Sequence, residues 1–194
     1  MATKQTLTQA IKEDHEEMYE YHENYRKFAG DADSQARWAN QLRWEIARHA
    51  VGEELVVYPL MEKHLGAQGL KLADHDREEH QHVKEMLYKM ESMTPGSAEY
   101  DKILERMMAS LHEHNDSEEV NDLPLLEPHL GEGSQQVASQ FSLTKKFAPT
   151  RAHPSAPNKP PFETFAGFLA APIDKLRDAF TKFPTNETKE AAES

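Results

Sequence analysis

The sequence predicts an all-α protein: an antiparallel up-down four-helix bundle with an additional C-terminal helical tail. Three observations point there. Four segments repeat apolar residues at three- and four-residue spacing, short turn-rich stretches separate them, and no strand-like alternation persists anywhere. A chain of 194 residues has room for one well-buried domain and an appendage. We therefore expect a bundle in residues 1–130, followed by an extra helix, a proline-rich connector and an amphipathic tail in residues 131–194.

The first helix is expected from about Thr6 to Phe28, opened by a Thr6-to-Gln9 capping box and closed near Gly30. Its inward stripe is Ile11, His15, Met18, His22 and Tyr25. The second runs from about Ser34 to Leu65, with Trp38, Leu42, Ile46, His49, Glu53 and Val56 or Val57 on one face. The third, roughly Leu70 to Met93, carries Asp76, His80, Val83, Leu87 and Met90 on one face, and stops at "TPGS". The fourth starts near Ser97 and gives Leu104, Met107, Leu111, His114 and Glu118. Pro59 and Pro124 each follow about one and a half turns beyond the Glu, where a proline kinks or ends a helix. Beyond "GEGS" a fifth helix is expected over about Ser134 to Phe147, then the extended connector "APTRAHPSAPNKPP". In the tail, Phe162, Phe165 and Phe168 or Leu169 precede Pro172, which suits a first helical position, and Ile173, Leu176, Phe180 and Phe183 form a new stripe. We expect that stripe to pack on the bundle in preference to a protein partner or a membrane, because its polar side mixes Lys175, Arg177 and Lys182 with Asp174 and Asp178.

Composition excludes several functions. The formal net charge of −12, with no segregated Lys/Arg cluster, argues against nucleic acid and anionic lipid as partners. The mean hydropathy is −0.81 and no apolar run approaches the ~20 residues of a membrane span. The N-terminus meets acidic residues where a secretory signal would have its apolar centre, so the expected compartment is cytoplasmic. Without cysteine, any metal chemistry must use His, Asp and Glu, and the chain has 11 histidines.

One phrase is written twice. "HAVGEELVVYPLME" from His49 and "HNDSEEVNDLPLLE" from His114 share the histidine, two glutamates, the Pro-Leu and a closing Glu. Residues four apart lie one helical turn apart on nearly the same face, so His49 with Glu53, and His114 with Glu118, can each offer an imidazole and a carboxylate to one ion. All four fall where the helical period demands an apolar residue, and a buried bare carboxylate is costly without a cation. If the two helices face each other, the two clamps meet across the bundle centre, and His15 and His80 add one ligand from each remaining helix. Six donors from four helices make a dinuclear set.

This pattern of a His, a His-x-x-x-Glu, an "EH" and a second His-x-x-x-Glu resembles the hemerythrin-like, HHE cation-binding family over about residues 6 to 130. The resemblance implies a pair of non-haem irons inside the bundle. By it, "KEDHEEM" supplies His15, "HAVGEE" supplies His49 and Glu53, "REEHQH" supplies His80, and "HNDSEE" supplies His114 and Glu118. Glu53 and Glu118 would bridge or cap the pair. The oxygen carriers of the family place two histidines four apart on the third helix, whereas Asp76 stands four before His80 here, with His75 one residue out of register. They also use an acidic ligand five residues after the last histidine, which would be Glu119, but a regular helix turns Glu119 away and favours Glu118. His22 reads as core, and His64, His82, His112, His129 and His153 as ordinary histidines. Iron is the expected metal, and manganese or zinc suit the same donors. The expected function is binding or sensing of oxygen, nitric oxide or peroxide. The alternatives are a di-iron oxidase or peroxide-decomposing enzyme, and iron buffering.

Overall fold

A computed structural model describes residues 5–160 and 162–193, with the side chains of residues 162–168 outside that description. Helix α1 (Leu7–Lys27) opens on the expected box: Thr6 Oγ1 accepts from the Gln9 N–H and Gln9 Oε1 accepts from the Thr6 N–H. Helix α2 (Ala32–Gly52) starts two residues before the expected Ser34, because Asp31 accepts from the N–H groups of Asp33 and Ser34 and caps it. It continues through a π-helical turn, Glu53–Val57, into α3 (Tyr58–Leu65). Helix α4 (Ala67–Met90) leaves Gly66, whose φ of 58° only glycine adopts without strain. Helix α5 (Ala98–Ser117), capped by Ser97, repeats the design, passing through a second π turn, Glu118–Asp122, into α6 (Leu123–Leu130). A 3₁₀ turn, Gly131–Gly133, leads to α7 (Ser134–Phe147).

Pro59 and Pro124 do not end their helices. Each follows a π turn in which the N–H of Tyr58 or Leu123 reaches back five residues, to the carbonyl of Glu53 or Glu118. A proline ring collides with the carbonyl four residues before it in a regular helix, and the wider turn makes room. The helix continues through the wider turn and changes its phase.

Two apolar clusters fill the interior. One holds Met18, Trp38, Leu42, Ile46, Val83, Leu87, Tyr100, Leu104, Met107 and Leu111. The other holds Leu7, Ile11, Val57, Tyr58, Met61, Ala73, Leu123, Leu126 and Phe141. Along each of the four long helices the first cluster gives way to the second across a His: His15 between Ile11 and Met18, His49 between Ile46 and Val56, His80 between Ala73 and Val83, His114 between Leu111 and Leu123. A polar layer is thus sealed on both sides by oil. Helix α7 packs on α1 and α2 and contributes Phe141 and Ala138 to the second cluster, so the fifth helix is part of the core.

The tail meets the bundle, though largely through other residues than the expected stripe. Helix α8 (Phe162–Asp178) runs straight through Pro172, which was expected to open a helix, at the cost of one backbone hydrogen bond. Three of the four residues of the predicted stripe face outward, Ile173 at 58% exposed, Leu176 at 66% and Phe180 at 85%, whereas Phe183 is part-buried. The buried face is instead Ala171 and Asp174. Asp174 Oδ2 accepts from the backbone of Thr150 and Arg151 and meets His153 at 2.9 Å, so the connector binds α8 through a carboxylate. Periodicity located a stripe but could not tell which side the connector would take. Phe183 meets Trp44 with ring centroids 6.2 Å apart, and a short α9 (Asn186–Glu193) follows. Of the first aromatic group, the side chains of Phe162, Phe165 and Phe168 lie outside the described residues. No helix among the described residues is long and apolar enough to cross a membrane.

Candidate metal centre

All six residues singled out by the sequence lie together in the sealed polar layer. His15, His49, Glu53, His80, His114 and Glu118 are each at most 2% exposed. The four imidazoles turn their Nε2 atoms inward in two pairs: His15 and His49 at 3.2 Å, His80 and His114 at 3.0 Å. Glu53 stands between the pairs, with Oε1 3.0 Å from His49 Nε2 and Oε2 3.3 Å from His80 Nε2. Glu118 Oε2 lies 3.7 Å from His15 Nε2. Donor atoms of His15, His49 and Glu53 fall within 4.8 Å of one another, as do those of Glu53, His80 and His114.

Each histidine is held from behind by a carboxylate. Asp14 meets His49 Nδ1 at 2.9 Å, Glu54 meets His80 Nδ1 at 3.2 Å, Glu79 meets His114 Nδ1 at 2.8 Å and Glu119 meets His15 Nδ1 at 2.8 Å. A carboxylate only accepts, so these contacts put the ring proton on Nδ1 and leave Nε2 as a lone pair aimed into the centre. Every such carboxylate is the sequence neighbour of a central residue on another helix: Asp14 of His15, Glu54 of Glu53, Glu79 of His80, Glu119 of Glu118. Basic side chains stand behind them in turn. Lys84 Nζ donates to Glu54 at 2.6 Å, Lys12 to Glu119 at 2.9 Å, Lys145 of α7 to both Asp14 and Glu45, and His75 lies 3.6 Å from Glu79.

The π turns explain why two consecutive glutamates serve one centre. The wider turn lets Glu53 face the imidazole nitrogens while Glu54, also fully buried, reaches His80 from the side. The second π turn does the same for Glu118 and Glu119. The sequence reading that a regular helix turns Glu119 away did not allow for this turn.

Without a cation this layer is a set of conflicts. Both oxygens of Glu53 and both of Glu118 are buried with no aligned hydrogen-bond donor, although ring nitrogens approach them closely. With the rings neutral and the carboxyls ionised, lone pair faces lone pair. Burial opposes the charged form of His49, but Glu53 and Asp14 outweigh it and raise its pKa to about 9. Burial also opposes ionisation of Glu53, yet His49 and His80 hold its carboxyl well below the usual range. Glu118 is pushed far up by burial and by the neighbouring Glu53 and Asp76. His15 and His114 are lowered, chiefly by burial. For a metal–imidazole bond of about 2.0–2.1 Å, two perpendicular nitrogens stand about 3.0 Å apart, which is the spacing of both imidazole pairs. The donors therefore fit a pair of ions, one at each imidazole pair.

The two halves of the layer are the same unit written 65 residues apart: Asp14 matches Glu79, His15 His80, His49 His114, Glu53 Glu118, Glu54 Glu119 and Pro59 Pro124. Where the first half has Ile11 and Val57, the second has Asp76 and Asp122. Both are buried, each with an oxygen lacking a partner, and burial together with mutual repulsion raises Asp76 to about 8; burial raises Asp122 to about 6. Tyr58 is a further polar group that pattern reading missed. Its buried hydroxyl lies 3.2 Å from His80 Nε2.

The remaining histidines sit elsewhere. His22 is buried beside Glu105 at 3.2 Å, His112 stacks on Tyr19 at 3.8 Å, and His153 holds the connector.

Comparison with known proteins places this geometry in context. The sequence pattern of the Hemerythrin HHE cation binding domain matches residues 6–126. The chain is similar to an uncharacterized hemerythrin-like protein of Schizosaccharomyces pombe, with 54% identity over 179 residues, covering 92% of this chain and 88% of that protein. No solved structure matches.

Proposed function

The chain belongs to the hemerythrin HHE cation-binding family, and from that premise we propose that it holds two non-haem iron ions and binds or senses a small ligand, namely oxygen, nitric oxide or peroxide. His15 and His49 would hold one ion, His80 and His114 the other, with Glu53 shared between them and Glu118 capping the pair. The observation that carries the proposal is the Glu53 carboxylate, fully buried and without an aligned donor, set between two imidazole pairs at ligand spacing. When bound, the ions supply electrons and an open coordination position. The chain supplies the rest.

Four imidazoles locked by carboxylates on Nδ1 need no reorganisation to meet the ions. The apolar clusters on both sides exclude water. Tyr58 presents a hydroxyl at the His80 side that can donate to a small ligand there. Four neutral imidazoles with Glu53 and Glu118 bring two negative charges against the four positive ones of a diferrous pair, which leaves room for an anionic ligand. Iron is chosen over manganese and zinc by the family, because the mixed His/carboxylate set suits all three.

A second reading, an oxidase or peroxide-decomposing enzyme, is favoured by Tyr58, whose buried phenol can donate a hydrogen bond or give up an electron beside the centre. Anaerobic reduction of the iron-loaded protein followed by exposure to air separates the readings. A visible band that appears with air and disappears under vacuum is expected for binding. Net consumption of peroxide would replace it with the enzyme, and slow release of iron with a buffering role.

A further inference from the structure

The pseudo-repeat makes each half of the bundle a control for the other, and they differ on one face. In the first half, Ala10, Ile11 and Val57 are buried against Phe141 and Ala138 of α7, and Asp14 is occupied by Lys145. The matching positions in the second half are His75, Asp76, Asp122 and Glu79. Two apolar residues have become carboxylates and the alanine a histidine.

These groups run from solvent to the centre. His75 is exposed and lies 3.6 Å from Glu79, which is 34% exposed at its side chain. Donor atoms of Asp76, Glu79 and His114 all fall within 4.8 Å of one another. Asp76 and Asp122 are 2% and 3% exposed, and each turns an unpartnered oxygen into the interior. Unpartnered carboxylate oxygens at this depth are costly, and no packing advantage over Ile and Val offsets that cost. His114 belongs both to this cluster and to the His80 pair, so the cluster adjoins the centre.

We propose that Asp76, Glu79 and Asp122 form a transit site that passes divalent cations from solvent to the dinuclear centre. It rests on the reading of His15, His49, Glu53, His80, His114 and Glu118 as that centre. The face covered by α7 stays closed, so loading is one-sided and the His80 and His114 ion arrives through its own carboxylates. Successive carboxyl oxygens between low-dielectric walls, each able to exchange its proton for a cation, draw divalent ions inward and raise capture rates.

The test uses the metal-free full chain mixed anaerobically with Co²⁺, with uptake followed by visible absorption in a stopped-flow instrument. Asp76→Ile and Asp122→Val copy the closed half, and Asp76→Asn and Asp122→Asn keep the shape while removing the ionisable oxygen. All four are expected to load at least about tenfold more slowly than the parent at equal free Co²⁺, and to end with the same spectrum and the same ions per chain. Rates equal to the parent's would overturn the proposal. So would an altered final spectrum or a lower final stoichiometry, which would make Asp76 or Asp122 a resident ligand. A parent protein that gives no Co²⁺ spectrum would overturn the centre itself, an outcome distinguishable from slow variants of a loading parent.

Discussion

Asp14 holds His49 at 2.9 Å although it is the chain neighbour of His15, so one dipeptide of α1 serves two imidazoles of the same pair. The helix turns His15 inward and leaves Asp14 at the edge, where α2 passes. Asp14→Asn keeps the shape but weakens the acceptor and lets His49 rotate. We expect metal affinity to fall about 10- to 100-fold, read as a shift in competition with a chromophoric chelator. An unchanged midpoint would mean that His49 is positioned by packing alone.

Glu53→Ala and Glu118→Ala remove the two central carboxylates whose oxygens have no aligned hydrogen-bond donor. Each variant is expected to lose most bound metal, and His153→Ala, whose imidazole meets Asp174 of the tail, is expected to retain it. Metal analysis of the three purified variants decides this, and equal contents would defeat the assignment.

In the metal-free protein Asp76 has its pKa raised from 3.8 to about 8, chiefly by burial. The folded chain therefore keeps a proton that the unfolded chain releases above 3.8. The associated stability is fully present below that value and is lost as pH climbs through about 8. Asp76→Asn removes the titration. The metal-free variant should melt above the metal-free parent at pH 8, with the gap narrowing as pH falls toward 5; a gap independent of pH would contradict the burial of an unpaired carboxyl.

Helix α7 lies beyond the matched family region, yet Phe141 is 1% exposed in the second apolar cluster and Lys145 holds Asp14. Phe141→Ala should cost about 3–5 kcal/mol in denaturant unfolding. A loss below 1 kcal/mol would show α7 to be a detachable appendage.

Much of this was legible in the residues because core stripes tolerate few polar intruders. His15, His49, Glu53, His80, His114 and Glu118 betrayed themselves by standing in apolar positions, and each is buried. Asp14, Glu54, Glu79 and Glu119 gave no such signal. They sit one residue off the stripe, where a carboxylate reads as a solvated face, and only the approach of a neighbouring helix turns each toward an Nδ1. The π turns at Glu53 and Glu118 were hidden as well, since a proline announces an interrupted helix without saying whether the chain breaks or widens. Ile173, Leu176 and Phe180 misled for the opposite reason. Their spacing is that of a buried face, but Asp174 took the inward side through hydrogen bonds to the connector.

Chelation offers a thermodynamic check on the whole layer. Metal bound only by the native state adds stability, and its removal leaves Glu53 and Glu118 buried with no aligned hydrogen-bond donor. We expect the melting temperature to fall once metal loss is verified, and to recover when iron is restored under anaerobic conditions. An unchanged value would mean that hydrogen bonding and protonation alone satisfy the layer.

The most direct measurement is the identity and number of metal ions per chain in protein isolated from its native host, because overexpression can load the wrong ion. The account predicts two irons per chain. Protein that is folded and free of stoichiometric transition metal, or that carries a single ion, would contradict it.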